Sequence, residues 1–144
     1  MNPRTRRVLQ AVLYEAIAVA LLGPALSLIF AQPVISTLSL ALLMSAAALA
    51  WNYVFNSLFE RWESRQRVAG RSPQRRLMHA LGFEGGLVIL LVPLMADWLR
   101  ISLIQAFLAD IGTLAVFFVY SIAFTWLFDR LFGLPKSVAK PCDA

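Results

Sequence analysis

Four stretches of this chain, residues 8–30, 36–58, 77–96 and 103–128, are almost free of charge. Each is long enough to cross a bilayer, which takes about 20 apolar residues of helix. Of the 144 residues, 60% are hydrophobic and 15% charged, whereas a soluble domain carries about a quarter charged residues. The reading is an all-α integral membrane protein with four transmembrane helices. A net charge of +5 would imply nucleic acid if the basic residues shared a solvated face. Here they flank apolar spans and act as topology signals, so no nucleic-acid partner is expected. Cys142 is the only cysteine, which excludes an internal disulfide framework. His79 has no second histidine or cysteine cluster beside it, so neither a metal nor a cofactor is expected.

The spans are related to one another. A shift of 69 positions lays Arg7 on Arg76, Ala11 on Ala80, Glu15 on Glu84 and Pro24 on Pro93. The same shift, without a gap, lays Phe55 on Phe124, Leu58 on Leu127, Phe59 on Phe128, Glu60 on Asp129 and Arg61 on Arg130. A fixed period of this kind marks one structural unit used twice. The expected organisation is a tandem repeat of two-helix hairpins. Residues 1–66 form the first pair and residues 67–144 the second, with a polar tail carrying Pro135, Lys136, Lys140 and Pro141. Ala31-Gln32-Pro33 reads as a tight turn, Asp97 to Ser102 as its counterpart, and residues 60–76 as a charged connector. Glu15 inside the first apolar run, and its second copy at Glu84, argue against a cleaved signal peptide. Twelve of the thirteen basic residues lie at the N-terminus, in the connector, or at and beyond the end of the fourth span; Arg100 alone is on the other side. Cytoplasmic segments collect Lys and Arg, so both termini and the connector are expected in the cytoplasm. The two repeats then point the same way, related by an axis along the membrane normal.

Charges in hydrocarbon carry the most chemical information. An acidic residue at a span centre costs about 2.5–3.5 kcal/mol on insertion scales. A carboxyl group escapes that cost by holding a proton, which it can then exchange. Glu15, Glu84 and Asp110 are the candidates for binding a proton or cation, and His79 is a further one; Glu15 ranks first partly through the family resemblance given below. At about 100° per residue, Ser45, Asn52 and Asn56 share an arc of about 40° on the second span. Asp110, Thr113, Phe117, Ser121 and Thr125 form a stripe on the fourth. Asn52, Asn56, Ser45, Ser121 and Thr125 are expected to line a polar cavity at the depth of Glu15; the plainer alternative is that they bond helix to helix. Tyr14, Trp51, Phe55 and Phe83 offer π-faces to a cation. Gly82 and Gly86 are spaced for close helix approach, as a packing device or a dimer seam. The first repeat has Leu13 and Ile17 there, so this contact is not shared.

At these residues the sequence resembles the proteobacterial antimicrobial compound efflux transporters, built from two bacterial transmembrane pair units. Arg76-x-x-His79-Ala80-x-x-Phe83-Glu84-Gly85 resembles the family's R-x-x-H-A-x-x-F-E-G motif. Trp51-Asn52-x-x-Phe55-Asn56-x-x-Phe59-Glu60 resembles its W-N-x-x-F-N-x-x-F-acid motif. The first span matches through Arg7, Ala11 and Glu15 and departs at Gln10, where the family often has histidine. The fourth matches through Tyr120, Phe124, Trp126 and Asp129. The resemblance implies proton-driven efflux of cationic biocides such as chlorhexidine or acriflavine across the bacterial inner membrane. Short diamines are a further substrate class, and Glu15 is the proton- and cation-responsive group. The expected partners are the bilayer, protons and cationic amphipathic molecules. A drug-sized pocket needs roughly 300 Å³ or more, a demanding volume inside one four-helix bundle, so a parallel homodimer or a monomer–dimer equilibrium is expected. Rival readings are a small multidrug resistance exporter, a non-transporting assembly protein and, third, a membrane enzyme.

Overall fold

The computed structural model describes residues 2–67, 70 and 72–133. Among them are four helices, α1 (Pro3–Phe30), α2 (Val34–Ser64), α3 (Pro73–Leu99) and α4 (Leu103–Phe132). The tail and Cys142 lie outside the described residues. Local chemistry sets the helix starts. The Asn2 and Ser72 side chains accept the backbone N–H of Arg4 and Arg75, with Pro3 and Pro73 in the first turns. Ser102 and Gln105 cap α4 reciprocally.

The helices overrun the apolar spans. α1 and α3 take in the arginines before their spans, and α2 and α4 run on past residues 58 and 128. No proline or glycine stops them there, and outside the hydrocarbon a charged helix face is solvated. The second turn is correspondingly shorter than expected. Asp97 and Trp98 belong to the last turn of α3, and the chain reverses only at Arg100 to Ser102. Arg100 ends α3 in the left-handed conformation (φ 55°), as its repeat equivalent Ala31 ends α1 (φ 51°). In each case the next amide bonds back into the helix, Gln32 to Ser27 at 3.2 Å and Ile101 to Ala96 at 3.1 Å. Both turns are thus closed by the same Schellman-type bond.

α1 packs on α2, α2 on α3 and α3 on α4. Both tight turns therefore lie at one end of the bundle, the turn end, and the arginine-rich helix ends at the other, the basic end. Buried Leu40, Met44, Leu87, Leu91, Met95 and Leu99 build most of the core between α2 and α3, joined by Leu26 of α1 and Ala106 of α4. The exterior is apolar, with Leu28 85%, Ile35 80% and Ile89 74% exposed. Such a surface is matched to lipid, where backbone polar groups must be satisfied inside the helices. α4 is the least enclosed helix: 6% of its most apolar window is buried, against 22% for α2.

Two seams complete the bundle. The α2/α3 seam is held at the turn end by the Trp98 indole, which donates to the Ser36 hydroxyl at 3.0 Å. The core fills its middle. Toward the basic end, Trp51 donates to the Phe83 carbonyl at 3.0 Å and Phe55 packs edge-on to Phe83. The α1/α4 seam is held only in its basic half. There Arg6 pairs with Asp129 and donates to the Gly133 carbonyl. The Tyr14 and Ser121 hydroxyls bond at 2.7 Å, and Tyr120 donates to the Tyr14 carbonyl at 2.9 Å. Toward the turn end α1 and α4 diverge around an apolar groove of about 530 Å³, between Leu22, Leu26 and Ile29 on one side and Leu108, Gly112 and Val116 on the other.

Candidate functional site

The site forms where the α1/α4 seam changes from closed to open. Glu15, half-buried on α1, lines a cavity of about 280 Å³ with Tyr14 beside it. Ala18, Ala41, Ser45 and Ala48 line it from α1 and α2, and Thr113 and Phe117 from α4. Most of this lining is apolar. The Thr113 hydroxyl donates to the Ala109 carbonyl at 2.8 Å, and the Tyr14 hydroxyl is engaged by Ser121. Among the residues lining this weakly polar space, Glu15 is the one carboxyl.

The cavity wall differs between the repeats. Ala18, Ala41, Ser45 and Ala48 correspond to the larger Leu87, Asp110, Leu114 and Phe117. Glu84 is half-buried, and its Oε1 is buried without a hydrogen-bond partner among the described residues. Asp110 is 3% exposed and lies within electrostatic reach of Glu84. The three candidate carboxyls thus divide into one beside the cavity and two between α3 and α4.

The other expected site residues are distributed unevenly. Ser45 lines the cavity with Glu15. Asn52 and Asn56 do not; they belong to the α2/α3 seam. The Asn56 amide donates to Asn52 Oδ1 at 2.8 Å, which leaves Asn56 Oδ1 to accept the His79 Nε2–H at 2.7 Å. His79 stands among Phe55, Phe59 and Phe83, with ring centroids at 5.1, 4.9 and 6.2 Å. Ser121 bonds Tyr14 at the latch, and Thr125 is exposed. Of the four expected aromatic contacts, Tyr14 lines the cavity, while Trp51, Phe55 and Phe83 pack the α2/α3 seam. Gly82 and Gly86 receive those rings. A Cβ at Gly82 would stand 3.0 Å from the Phe55 ring, and one at Gly86 would overlap the Trp51 indole. Their spacing serves a contact within the chain.

Thr113 and Phe117 line both the cavity and the groove. The sequence placed them on the right stripe of the fourth span, but nothing singled them out. The replacement of large residues by small ones between repeats was the available signal for Ala18, Ala41 and Ala48.

Four helices long and apolar enough to cross a membrane, around a small cavity with one carboxylate, define a multi-pass membrane protein. The chain belongs to the chlorhexidine efflux transporter (BTP) family, whose model matches residues 2–65 and again residues 71–134. It is 37% identical over 126 residues to a short-chain diamines transporter of Acinetobacter baumannii, covering 88% of this chain and 87% of the relative. A short-chain diamines transporter of Acinetobacter baylyi is 36% identical over 126 residues, covering 88% and 89%. One from Vibrio parahaemolyticus is 35% identical over 128 residues, covering 89% and 91%. No solved structure matches. The chain is a transporter and not an enzyme.

Proposed function

We propose that this chain exports cationic compounds, both amphipathic biocides of the chlorhexidine and acriflavine kind and short diamines, across a bacterial inner membrane in exchange for protons. Glu15 is the group for which cation and proton compete. The observation that supports this most directly is the Glu15 carboxyl beside a cavity of about 280 Å³ whose other lining is nearly apolar. Ionised, Glu15 attracts a cation; protonated, it does not. Occupancy by one excludes the other, so exchange needs only that the cavity open to alternate sides.

The seam that opens is α1/α4, since the α2/α3 seam is bonded from end to end. Release of the Tyr14, Tyr120, Ser121 and Arg6 contacts would open the cavity toward the basic end, and closure of the groove would seal it from the turn end. The bias of Lys and Arg supports a cytoplasmic location for the arginine-bearing ends, and on that reading the present arrangement is open outward. Residues 1–66 and 67–144 act as two hairpins pointing the same way, and they supply no inverted symmetry for the two states. A parallel homodimer remains part of the proposal on the strength of this insertion bias. Its other support, lack of space in one bundle, is removed by a groove of about 530 Å³ in a single chain.

The test is Glu15→Gln, which keeps the shape and cannot titrate. Its proton-driven transport of a cationic dye in proteoliposomes should fall to the level of empty vesicles while the protein stays folded. Wild-type transport by this variant would overturn the proposal.

A further inference from the structure

The Glu15 cavity and the α1/α4 groove adjoin, with Leu22, Thr113 and Phe117 in the walls of both. They differ in chemistry. The cavity holds a carboxylate, whereas the groove is apolar except for the edges given by Gln105, Thr113 and Tyr120. From Leu22 to Ile29 the α1 wall of the groove runs for about 10 Å along the helix axis, at 1.5 Å per residue. We propose that the groove is a second subsite, which takes the apolar body of an amphipathic cation whose charged end lies at Glu15. This rests on the reading of Glu15 given above and adds to it a division of substrates. A short diamine needs only the cavity, while an amphiphile needs the cavity and the groove together. The adjacency of the two spaces and the single negative charge at one end commit the groove to a cationic amphiphile. A lipid acyl chain would leave that charge unanswered.

Gly112 gives access to this idea experimentally. It lines the groove, and a Cβ built there meets nothing within 4 Å. A larger side chain at residue 112 therefore fills the groove without disturbing the packing. Helix propensity also favours the change, since glycine is the weaker helix former. Gly85 on α3 offers the matched control, because a Cβ there also meets nothing within 4 Å and the residue lines neither space.

The experiment compares wild type, Gly112→Leu, Gly85→Leu and Glu15→Gln in proteoliposomes. One probe is a fluorescent quaternary-ammonium amphiphile and the other a short-chain diamine, each read by binding and by transport. Gly112→Leu should weaken amphiphile binding by at least about tenfold and leave diamine binding within about twofold of wild type. Gly85→Leu should change neither. Val116→Trp, which enters the groove one turn away, should reproduce the Gly112→Leu pattern and guards against misfolding of the first variant. Unchanged amphiphile binding in both groove variants would overturn the proposal and leave the groove to lipid. Equal loss of binding for both substrates would also overturn it, since the groove would then not divide them. If Glu15→Gln transports both probes normally, the Glu15 reading fails instead, and the split at Gly112 still decides whether the groove binds amphiphiles.

Discussion

Trp51 donates its indole N–H to the carbonyl of Phe83, and 69 positions later Tyr120 donates its hydroxyl to the carbonyl of Tyr14. The two bonds are one contact made twice, yet the seams around them differ. On α3, Gly86 and Gly82 lie beneath Trp51 and Phe55, so the rings rest on bare backbone. The equivalent positions on α1 are Leu13 and Ile17, which leave no bare backbone for Tyr120 and Phe124. There the contact is made by reach, through hydroxyls and the Tyr14 ring, which lies tilted against Tyr120 at 4.9 Å and edge-on to Phe124 at 5.3 Å. At the turn end the contrast repeats. Trp98 ties α3 to Ser36, whereas their equivalents across the α1/α4 seam are Ile29 and Gln105, which stand on the open groove. A few residues thus leave one seam closed along its length and the other open toward the turn end, which on the proposed mechanism makes them the hinge side and the gate side.

If that contrast is functional, locking the two seams should have opposite effects. In a Cys142→Ser background, Arg6→Cys with Asp129→Cys, joined by a short thiol cross-linker, should stop transport, and cleavage of the linker should restore it. Ser36→Cys with Trp98→Cys, joined in the same way, should leave most transport intact. Equal inhibition by both links would remove the distinction between the seams.

Stability should sharpen it next. Gly86→Leu drives a side chain into the Trp51 ring and should destabilise the fold by about 1–3 kcal/mol, the range for overpacking. The matched change on the other seam, Ile17→Leu, should cost less than about 1.5 kcal/mol. Thermal unfolding in detergent measures both. The smallest effect is expected for Tyr120→Phe, which removes one hydrogen bond to the Tyr14 carbonyl. Interhelical hydrogen bonds in membranes average about 0.6 kcal/mol, so stability should barely change, while the rate of gate opening, read as transport rate, should shift.

Much of this was legible in advance. Charge-free stretches of spanning length located four helices, and the polar matches at Arg7, Glu15 and Pro24 exposed the duplication. The helix ends were less legible, because hydropathy marks where lipid begins and not where backbone bonding stops; Trp98 was assigned to a turn for that reason. Glu15 was legible as a charge in hydrocarbon. Its cavity was not, because Ala18, Ala41 and Ala48 carry no chemical signal and matter only through what they fail to fill. Asn52 and Asn56 looked like cavity residues by arc and depth. Which neighbour an arc faces depends on helix pairing, and here it faces His79 across the closed seam.

The central claim is that proton and cation exclude each other at Glu15. The most direct measurement is proton release when a cationic substrate is added to purified protein in weakly buffered detergent solution. Wild type and Glu84→Gln should both release protons in proportion to bound cation, and Glu15→Gln should release none. Undiminished release from Glu15→Gln would show that another group carries the exchange.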